Sequence, residues 1–274
     1  MTYKRYLIIA SKKDPAGINI TTQLSQFRKN PIVGVISDKP NFDFYLREEE
    51  IISDENLDLE KINKYDFIIF ASKHQSKLGV KSLSIHAPGN WKGNELGGKE
   101  NKICPTSSQF QKQLFENLNK NAADLRDCQI TLECTHHGPY IEKPCVFIEI
   151  GSNEEQWKDK KSGFVIAKTI LDTIENFKEN PYSENAFGIG GPHYCPNFNK
   201  IQLTSNFAIS HIIPSYVLPL TDEMIKEAIK KTEEEIDFAI LDWKGIPNSD
   251  ERKRVIAILD DNKISWKKTG EIKR

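Results

Sequence analysis

The sequence predicts an α/β fold, a mixed and mostly parallel sheet with helices on its faces. Three observations lead there. Short apolar runs and amphipathic stretches alternate from end to end. The apolar runs are rich in Ile, Val and Phe and are bounded by Gly, Pro, Asn or Asp, which is strand punctuation. No repeat or low-complexity linker divides the 274 residues, so a single domain over 1–274 is expected.

Strands are expected at 6–10, 32–36, 67–71, 83–87, 129–135, 146–150, 187–190, 207–213 and 238–241. Helical periodicity is clearest at 110–125, 163–177, 221–236 and 250–259. Thr221 is placed to cap the third helix, with Asp222 and Glu223 at its positive end, and Ser249 to cap the last. Residues 87–108 have little periodicity and form a long loop directly after His86, the kind that often serves as a lid or binding loop.

Composition narrows the class. An apolar fraction of 38% with 28% charged residues is ordinary for a soluble globular protein. Thirty-eight basic against 39 acidic residues give a net charge of −1, so any nucleic acid must be met by a local patch. No apolar run approaches the roughly 18 residues that cross a bilayer. The run Leu7-Ile8-Ile9-Ala10 is too short for a signal-peptide core and reads as a first strand, which predicts a cytoplasmic protein. Five cysteines without a C-x-x-C pair argue against a disulfide framework or a zinc knuckle. Cys128 and Cys134 share one strand face and read as small buried hydrophobes, whereas Cys195, two residues after His193 in a Gly/Pro-rich loop, is a candidate ligand or nucleophile.

The histidines point to chemistry. Five of the six lie at or near apolar segments that stop at Pro or Gly: His86, His136, His137, His193 and His211. In α/β enzymes, strand ends are where sites are built. Strand alternation puts Glu133 and His137 on one face of 129–137, Glu149 with Phe147 on one face of 146–151, and Ser82, Ser84 and His86 in line. If these strands are neighbours, spacings of about 4.8 Å bring Glu133, Glu149 and His86 or His137 within bridging reach. Buried carboxylates are paired, protonated or bound to metal. The set therefore suits either Zn²⁺, with His86, His136 and Glu149 as ligands, or a metal-free Glu–His or Glu–Lys network. A G-x-S-x-G elbow, an H-E-x-x-H helix and a phosphate-binding P-loop are absent, which weakens serine-triad, zincin and nucleotide-triphosphatase readings.

Five blocks occur in order: His86-Ala87-Pro88-Gly89-Asn90, Glu133-Cys134-Thr135-His136-His137-Gly138-Pro139, Glu149-Ile150-Gly151-Ser152, Gly188-Ile189-Gly190-Gly191-Pro192-His193-Tyr194 and Ser210-His211-Ile212-Ile213-Pro214-Ser215-Tyr216. Together they resemble the archaeal and plant type of D-aminoacyl-tRNA deacylase over nearly the whole chain. The resemblance implies a phosphorylase/hydrolase-like three-layer α/β/α core, hydrolysis of the ester joining a D-amino acid to tRNA, and two zinc ions per chain. It names no ligands, so the ligand set stays the one from the strand faces. On this reading zinc or a Glu133–His137 pair activates water, and His193 protonates the departing ribose oxygen. Metal or backbone N–H groups near Gly190 and Gly191 hold the oxyanion, and His211 joins those glycines in substrate binding. Aminoacylated tRNA is the expected partner, with residues 158–161 (Lys158, Lys160, Lys161) meeting phosphate, no membrane, and a monomeric chain. The alternatives are a zinc-dependent amidase or peptidase, a peptidyl-tRNA hydrolase, and a non-catalytic RNA-binding module.

Overall fold

The computed structural model describes residues 3–27 and 41–272, so the strand expected at 32–36 lies outside the described residues. The chain enters as β1 (Arg5–Ser11), in which six consecutive residues are buried. Asp14 then accepts the N–H groups of Ala16 and Gly17 and caps α1 (Pro15–Ser25). Next come β2 (Asn41–Arg47), the one-turn α2 (Leu59–Ile62), β3 (Phe67–Gln75) and β4 (Ser82–His86). They are followed by α3 (Ser108–Asn121), β5 (Gln129–Leu132), β6 (Cys145–Ser152), α4 (Glu154–Trp157) and α5 (Lys160–Asn176). The remainder alternates strictly: β7 (Glu184–Ile189), α6 (Pro196–Thr204), β8 (Phe207–Ile213), α7 (Asp222–Lys230), β9 (Phe238–Leu241), α8 (Ser249–Asp261) and β10 (Ser265–Lys268).

The first sheet has the order β2-β1-β3-β6-β4-β5 and is mixed and mostly parallel, with β4 antiparallel to β6. A second sheet, β10-β9-β7-β8, is parallel throughout. The expected α/β architecture is thus observed, with its strands shared between two sheets. In β6, Val146, Ile148 and Ile150 point into a core with Ile20, Phe110 and Ile166 of helices α1, α3 and α5. Cys145 and Phe147 face the opposite side, against Ile51, Leu57, Ile62 and Ile141. The second sheet alternates likewise, Phe238 and Ile240 entering the first core and Phe187, Ile189 and Leu241 packing on Ile225, Val255 and Leu259 of α7 and α8. Helix α3 touches both sheets and buries Phe110, Leu114, Phe115 and Leu118 between them. Each such side chain contributes about 1.5–3 kcal/mol.

Three departures from the sequence expectations have physical causes. The strand expected at 129–135 ends at Leu132, because only the Glu133 N–H still reaches β4, at Ile85, before Cys134 N–H goes to the His193 carbonyl and Thr135 N–H to that of Ile212. The helix expected at 221–236 ends at Lys230, since the chain beyond it exchanges backbone bonds with Thr106. Asn248, not Ser249, caps α8, its side chain accepting the Glu251 N–H at 2.9 Å. Elements without strong periodicity went unpredicted. One is α1, with four β-branched residues; another is β10, a short edge strand whose Trp and Lys content gives no alternation.

Candidate metal centre

Seven side chains converge where β3, β4 and β6 meet the segments after β5 and β7. Pairing sets the geometry: β6 lies between β3 and β4, with Ser84 opposite Glu149 and His86 opposite Phe147. The strand adjacency assumed in the sequence reading is therefore present. Gly151 of β6 stands beside His74 in register, and its missing side chain leaves room for that imidazole, whose Cδ2 would lie 3.0 Å from a Cβ there.

The carboxylates sit in the middle. Glu133 Oε1 is 3.1 Å from His74 Nδ1, and its Oε2 is 3.1 Å from His193 Nε2 and 3.4 Å from His136 Nε2. Glu149 Oε2 is 3.6 Å from His86 Nε2 and 3.8 Å from His74 Nδ1, and Oε1 is 4.0 Å from His137 Nε2. Glu133, Glu149 and His86 are almost fully buried, yet both oxygens of Glu149 and the Nε2 of His86 have no hydrogen-bond partner among the described residues. Buried polar atoms are normally paired, and exceptions of this kind need an explanation.

Three imidazoles share one arrangement. Nδ1 of His86 meets the Ala87 carbonyl at 3.1 Å, that of His136 the Cys134 carbonyl at 2.8 Å, and that of His137 the Gly138 carbonyl at 2.7 Å. A carbonyl only accepts, so each Nδ1 carries the proton and each Nε2 offers a lone pair. The three Nε2-bearing rings form one group whose donor atoms lie within 4.8 Å of one another. This outer-contact pattern fixes tautomer and orientation in metal-binding histidines.

Electrostatics agree. Burial, reinforced by the neighbouring imidazoles, pushes His86 down to about 4, His137 down to about 3, and His136 well below its ordinary value. All three are neutral at pH 7, the form that binds metal. Burial and the charge of Glu133 raise Glu149 well above the usual carboxylate range. Burial opposes the charge on Glu133 too, but hydrogen bonds to His193 and His74 outweigh it and hold that carboxyl below its ordinary value. Burial is likewise outweighed at His193, where Cys134 and Glu133 raise the imidazole to about 10.

Donor groups fit metal ions. His86, His136 and His137 form one set and His74, Glu133 and His193 another, with no residue in common. Cys134, His136 and His193 also converge, as do His86, Glu133 and Glu149. Imidazole, carboxylate and thiol donors around unpartnered buried atoms are the donor chemistry of Zn²⁺ and its neighbours in the first transition row.

Of the residues expected from sequence, His86, Glu133, His136, His137, Glu149 and His193 come together. The strand-face argument for Glu133 and His137 needs correction, since regular strand ends at Leu132 and His137 has a φ of 41°. Both still reach the centre, through a turn. Gly190 and Gly191 belong elsewhere. The Gly190 N–H is bonded to the Ile213 carbonyl at 2.8 Å and is not free for an oxyanion. Both glycines press on Asp242, where a Cβ would lie 3.0 Å from its carbonyl oxygen or 2.9 Å from its carboxylate. His211 is buried with both ring nitrogens engaged, by Thr135 Oγ1 at 3.1 Å and the Lys231 carbonyl at 3.2 Å. Cys195 is buried against the carbonyls of Pro192 and His193 and belongs to none of the donor groups. Loop 87–107 is pinned to the centre, Gly89 N–H bonding the His137 carbonyl at 2.7 Å.

His74 and Cys134 were missed. His74 ends β3 without a following Pro or Gly, so the punctuation that marked the others was absent; its Nε2 is 2.8 Å from the Tyr194 hydroxyl. Cys134 is buried as expected, but its Sγ lies 3.5 Å from His193 Nδ1 and 3.0 Å from the Tyr216 hydroxyl. The alternation that marked it apolar also put it two residues before His136, which was the available signal.

Comparisons with known proteins give the centre its context. Residues 61–267 match the model of a family described as D-aminoacyl-tRNA deacylase. A protein of that name from Methanocaldococcus jannaschii is 32% identical over 274 residues, covering 96% of this chain and 99% of its own length. One from Archaeoglobus fulgidus is 35% identical, covering 98% of each. A crystal structure titled as the conserved protein of unknown function AF0625 superposes with a TM-score of 0.86 at 33% identity, over 98% of this chain and 96% of that one. On the family match and the near-complete coverage of these relatives, this chain belongs to the D-aminoacyl-tRNA deacylase family.

Proposed function

We propose that the centre built from His74, His86, Glu133, His136, His137, Glu149 and His193 hydrolyses the ester of D-aminoacyl-tRNA, releasing the D-amino acid and free tRNA. The observation behind this reading is the triple imidazole arrangement, with every Nδ1 tied to a carbonyl and every Nε2 turned inward, those of His86 and His137 beside the unpartnered Glu149 and that of His136 beside Glu133. His86, His136 and His137 would hold one zinc ion and His74, Glu133 and His193 a second, because these two donor sets share no residue; the second ion would displace the proton that Cys134 and Glu133 hold on His193. Zinc bound there supplies Lewis acidity and a water whose pKa falls to near 7.

The remaining work belongs to the chain. Glu149 lies between the two donor sets, its Oε2 3.6 Å from His86 and 3.8 Å from His74. The positive charge of ions bound there would offset the burial and the Glu133 charge that raise Glu149, leaving it ionised to accept a proton from the attacking water as the hydroxyl oxygen bonds to the ester carbon, and to return that proton to the ribose oxygen when the ester bond breaks. Glu133, His137 and His193 thereby exchange the proton-transfer roles expected from sequence for ligand roles. His193, whose side chain at 32% exposure is the most accessible of the seven, marks the side from which substrate enters. Aminoacylated tRNA as the substrate supports a cytoplasmic location.

The test is a deacylation assay on D-tyrosyl-tRNA and L-tyrosyl-tRNA with purified protein, before and after chelation, with metal content measured in parallel. Turnover of the D-ester alone, abolished by chelation and restored by zinc, is expected. Chelation-resistant turnover would leave the deacylase reading standing and remove zinc from it; hydrolysis only of N-blocked L-aminoacyl-tRNA would replace it with peptidyl-tRNA hydrolysis.

A further inference from the structure

A cavity of about 440 Å³ opens between α6 and the loop after β9, lined among others by Asn197, Lys200, Trp243, Lys244 and Lys268. Lys200 and Lys244 are exposed and have no ion-pair partner among the described residues. Trp243 forms an aromatic wall, with Lys268 Nζ 4.6 Å and Arg252 5.2 Å from its ring centroid. Two acidic groups, Asp242 and Glu271, share this lining, but each is already engaged. Asp242 accepts from Asn197 Nδ2 at 3.0 Å, and Glu271 accepts the Lys268 N–H at 3.1 Å and faces its ammonium at 3.3 Å. Two other cavities, of about 390 and 560 Å³, differ in sign. The first is lined by Glu179, Glu233, Glu234, Glu235 and Asp237, and the second by Asp54, Glu55 and Glu142 against a single Lys99. Carboxylate-lined walls repel phosphate.

The basic cavity is mechanically joined to the metal centre. His193 and Tyr194 directly precede α6, and Asn199 of that helix accepts the Leu132 N–H at 2.7 Å and donates to Thr131 Oγ1 at 2.8 Å. Helix α6 is thereby fixed to β5, one residue before Glu133. On the other wall, Gly191 and Gly245 pack so closely that a side chain on Gly245 would overlap the Gly191 backbone. The loop presenting Trp243 and Lys244 is therefore locked to the loop presenting His193. Along α6 the rise is about 1.5 Å per residue, so Lys200 lies only roughly 6 Å along the helix from Pro196.

We propose that this cavity is the subsite for the unpaired 3′ strand of tRNA, with Lys200 and Lys244 on its phosphates and Trp243 against a base, delivering the terminal ester to His193. Unpaired cations alternating with an aromatic wall are how proteins hold single strands without reading sequence. The 158–161 stretch is less suited, because Lys158 pairs with Glu154 at 2.5 Å and Lys161 donates to the Asp124 carbonyl at 3.2 Å.

This proposal rests on the deacylase reading, and the test separates the two. Affinity for uncharged tRNA, intact or trimmed of its unpaired 3′ nucleotides, is measured across a salt series for the wild type, a Lys200→Gln/Lys244→Gln double variant, and Trp243→Leu. In parallel, KM and kcat are measured on D-tyrosyl-tRNA and on D-tyrosine esterified to adenosine alone. The double variant should bind intact tRNA about tenfold more weakly and lower the slope of log K against log salt by about 1.4, at about 0.7 per phosphate released from a single strand. Its KM for charged tRNA should rise with kcat unchanged, and the adenosine ester should be turned over as by wild type. Trp243→Leu should weaken intact tRNA about fivefold or more, while trimmed tRNA should not distinguish any variant from wild type. Unchanged affinity and salt slope in the lysine variant, or equal losses on intact and trimmed tRNA, would overturn the subsite. Failure of the wild type to hydrolyse either ester would instead sink the deacylase reading while the binding arm still judges the cavity.

Discussion

His86 and His211 are both buried imidazoles on strands, one in each sheet, and burial pushes both down to about 4. They differ in how their nitrogens are used. His211, on β8, has both engaged, by Thr135 and the Lys231 carbonyl, and meets Trp91 edge-on with ring centroids 6.1 Å apart. His86, on β4, spends Nδ1 on a carbonyl and leaves Nε2 facing two carboxylates without a hydrogen bond. Burial of a histidine therefore says little about function; an unused nitrogen at the focus of other donors says much. The first sheet's strand ends supply six of the seven side chains of the site and the second sheet only His193, after β7, while His211 of that sheet is closed off by Thr135 and Lys231.

The strongest way to break this contrast is at Glu149, the unpartnered carboxylate. Glu149→Gln keeps shape and removes the proton acceptor, so kcat on D-aminoacyl-tRNA should fall by about 10²–10⁴ with metal content unchanged. Turnover within tenfold of wild type would remove Glu149 from the proton path. Next, His86→Ala should lose metal as well as activity, at least about a hundredfold in kcat, as judged by metal analysis of the purified variant. His211→Leu should keep both metal and turnover. If both variants lost metal alike, the difference between used and unused nitrogens would mean nothing.

His211 should show itself in stability. Replacing it by Leu leaves the Thr135 hydroxyl and the Lys231 carbonyl without their partner, at a cost of about 3 kcal/mol by chemical denaturation at pH 7. The pH dependence carries a sign. His211 stays neutral in the fold down to about 4, whereas the unfolded chain takes up that proton near 6.5. Acid therefore favours the unfolded state, and the stabilisation present above 6.5 is lost as pH falls toward 4. That loss amounts to about 3 kcal/mol from this residue. The Leu variant should lack that component, so wild type and variant should converge at pH 4. Parallel curves would show that His211 is not held neutral.

How far the sequence foretold this arrangement can be seen residue by residue. Alternation within β6 correctly separated Glu149 and Phe147 from Val146, Ile148 and Ile150, because a strand buried on both faces obeys a strict period of two. The same rule failed past Leu132, where the backbone leaves its sheet to bond His193 and Ile212, a long-range event that no local pattern encodes. Histidines followed by Pro or Gly were found; His74, followed by Gln75 and Ser76, was not. Gly190 and Gly191 resembled a ligand loop, yet their small size lets two loops interlock at Asp242. Glycine marks close approach without saying what approaches.

The smallest effect expected lies far from the centre, at the start of α8, and it asks whether the second sheet's devices act on stability alone. Asn248 accepts the Glu251 N–H at 2.9 Å, one of the donors a helix start leaves unpaired, while Ser249 already lies within the helix. Asn248→Ala should cost about 1 kcal/mol and lower Tm by about 2–4 °C, with kcat, KM and metal content unchanged. Ser249→Ala should change Tm by much less, because its side chain supplies no cap. If Ser249→Ala proved the more damaging of the two, the cap would be where the sequence pattern put it. If Asn248→Ala instead lowered kcat, the separation between a chemical and a structural part of the molecule would fail, because α8 packs through Val255 and Leu259 onto a sheet whose one contribution to the metal donors, His193, lies in the loop after β7.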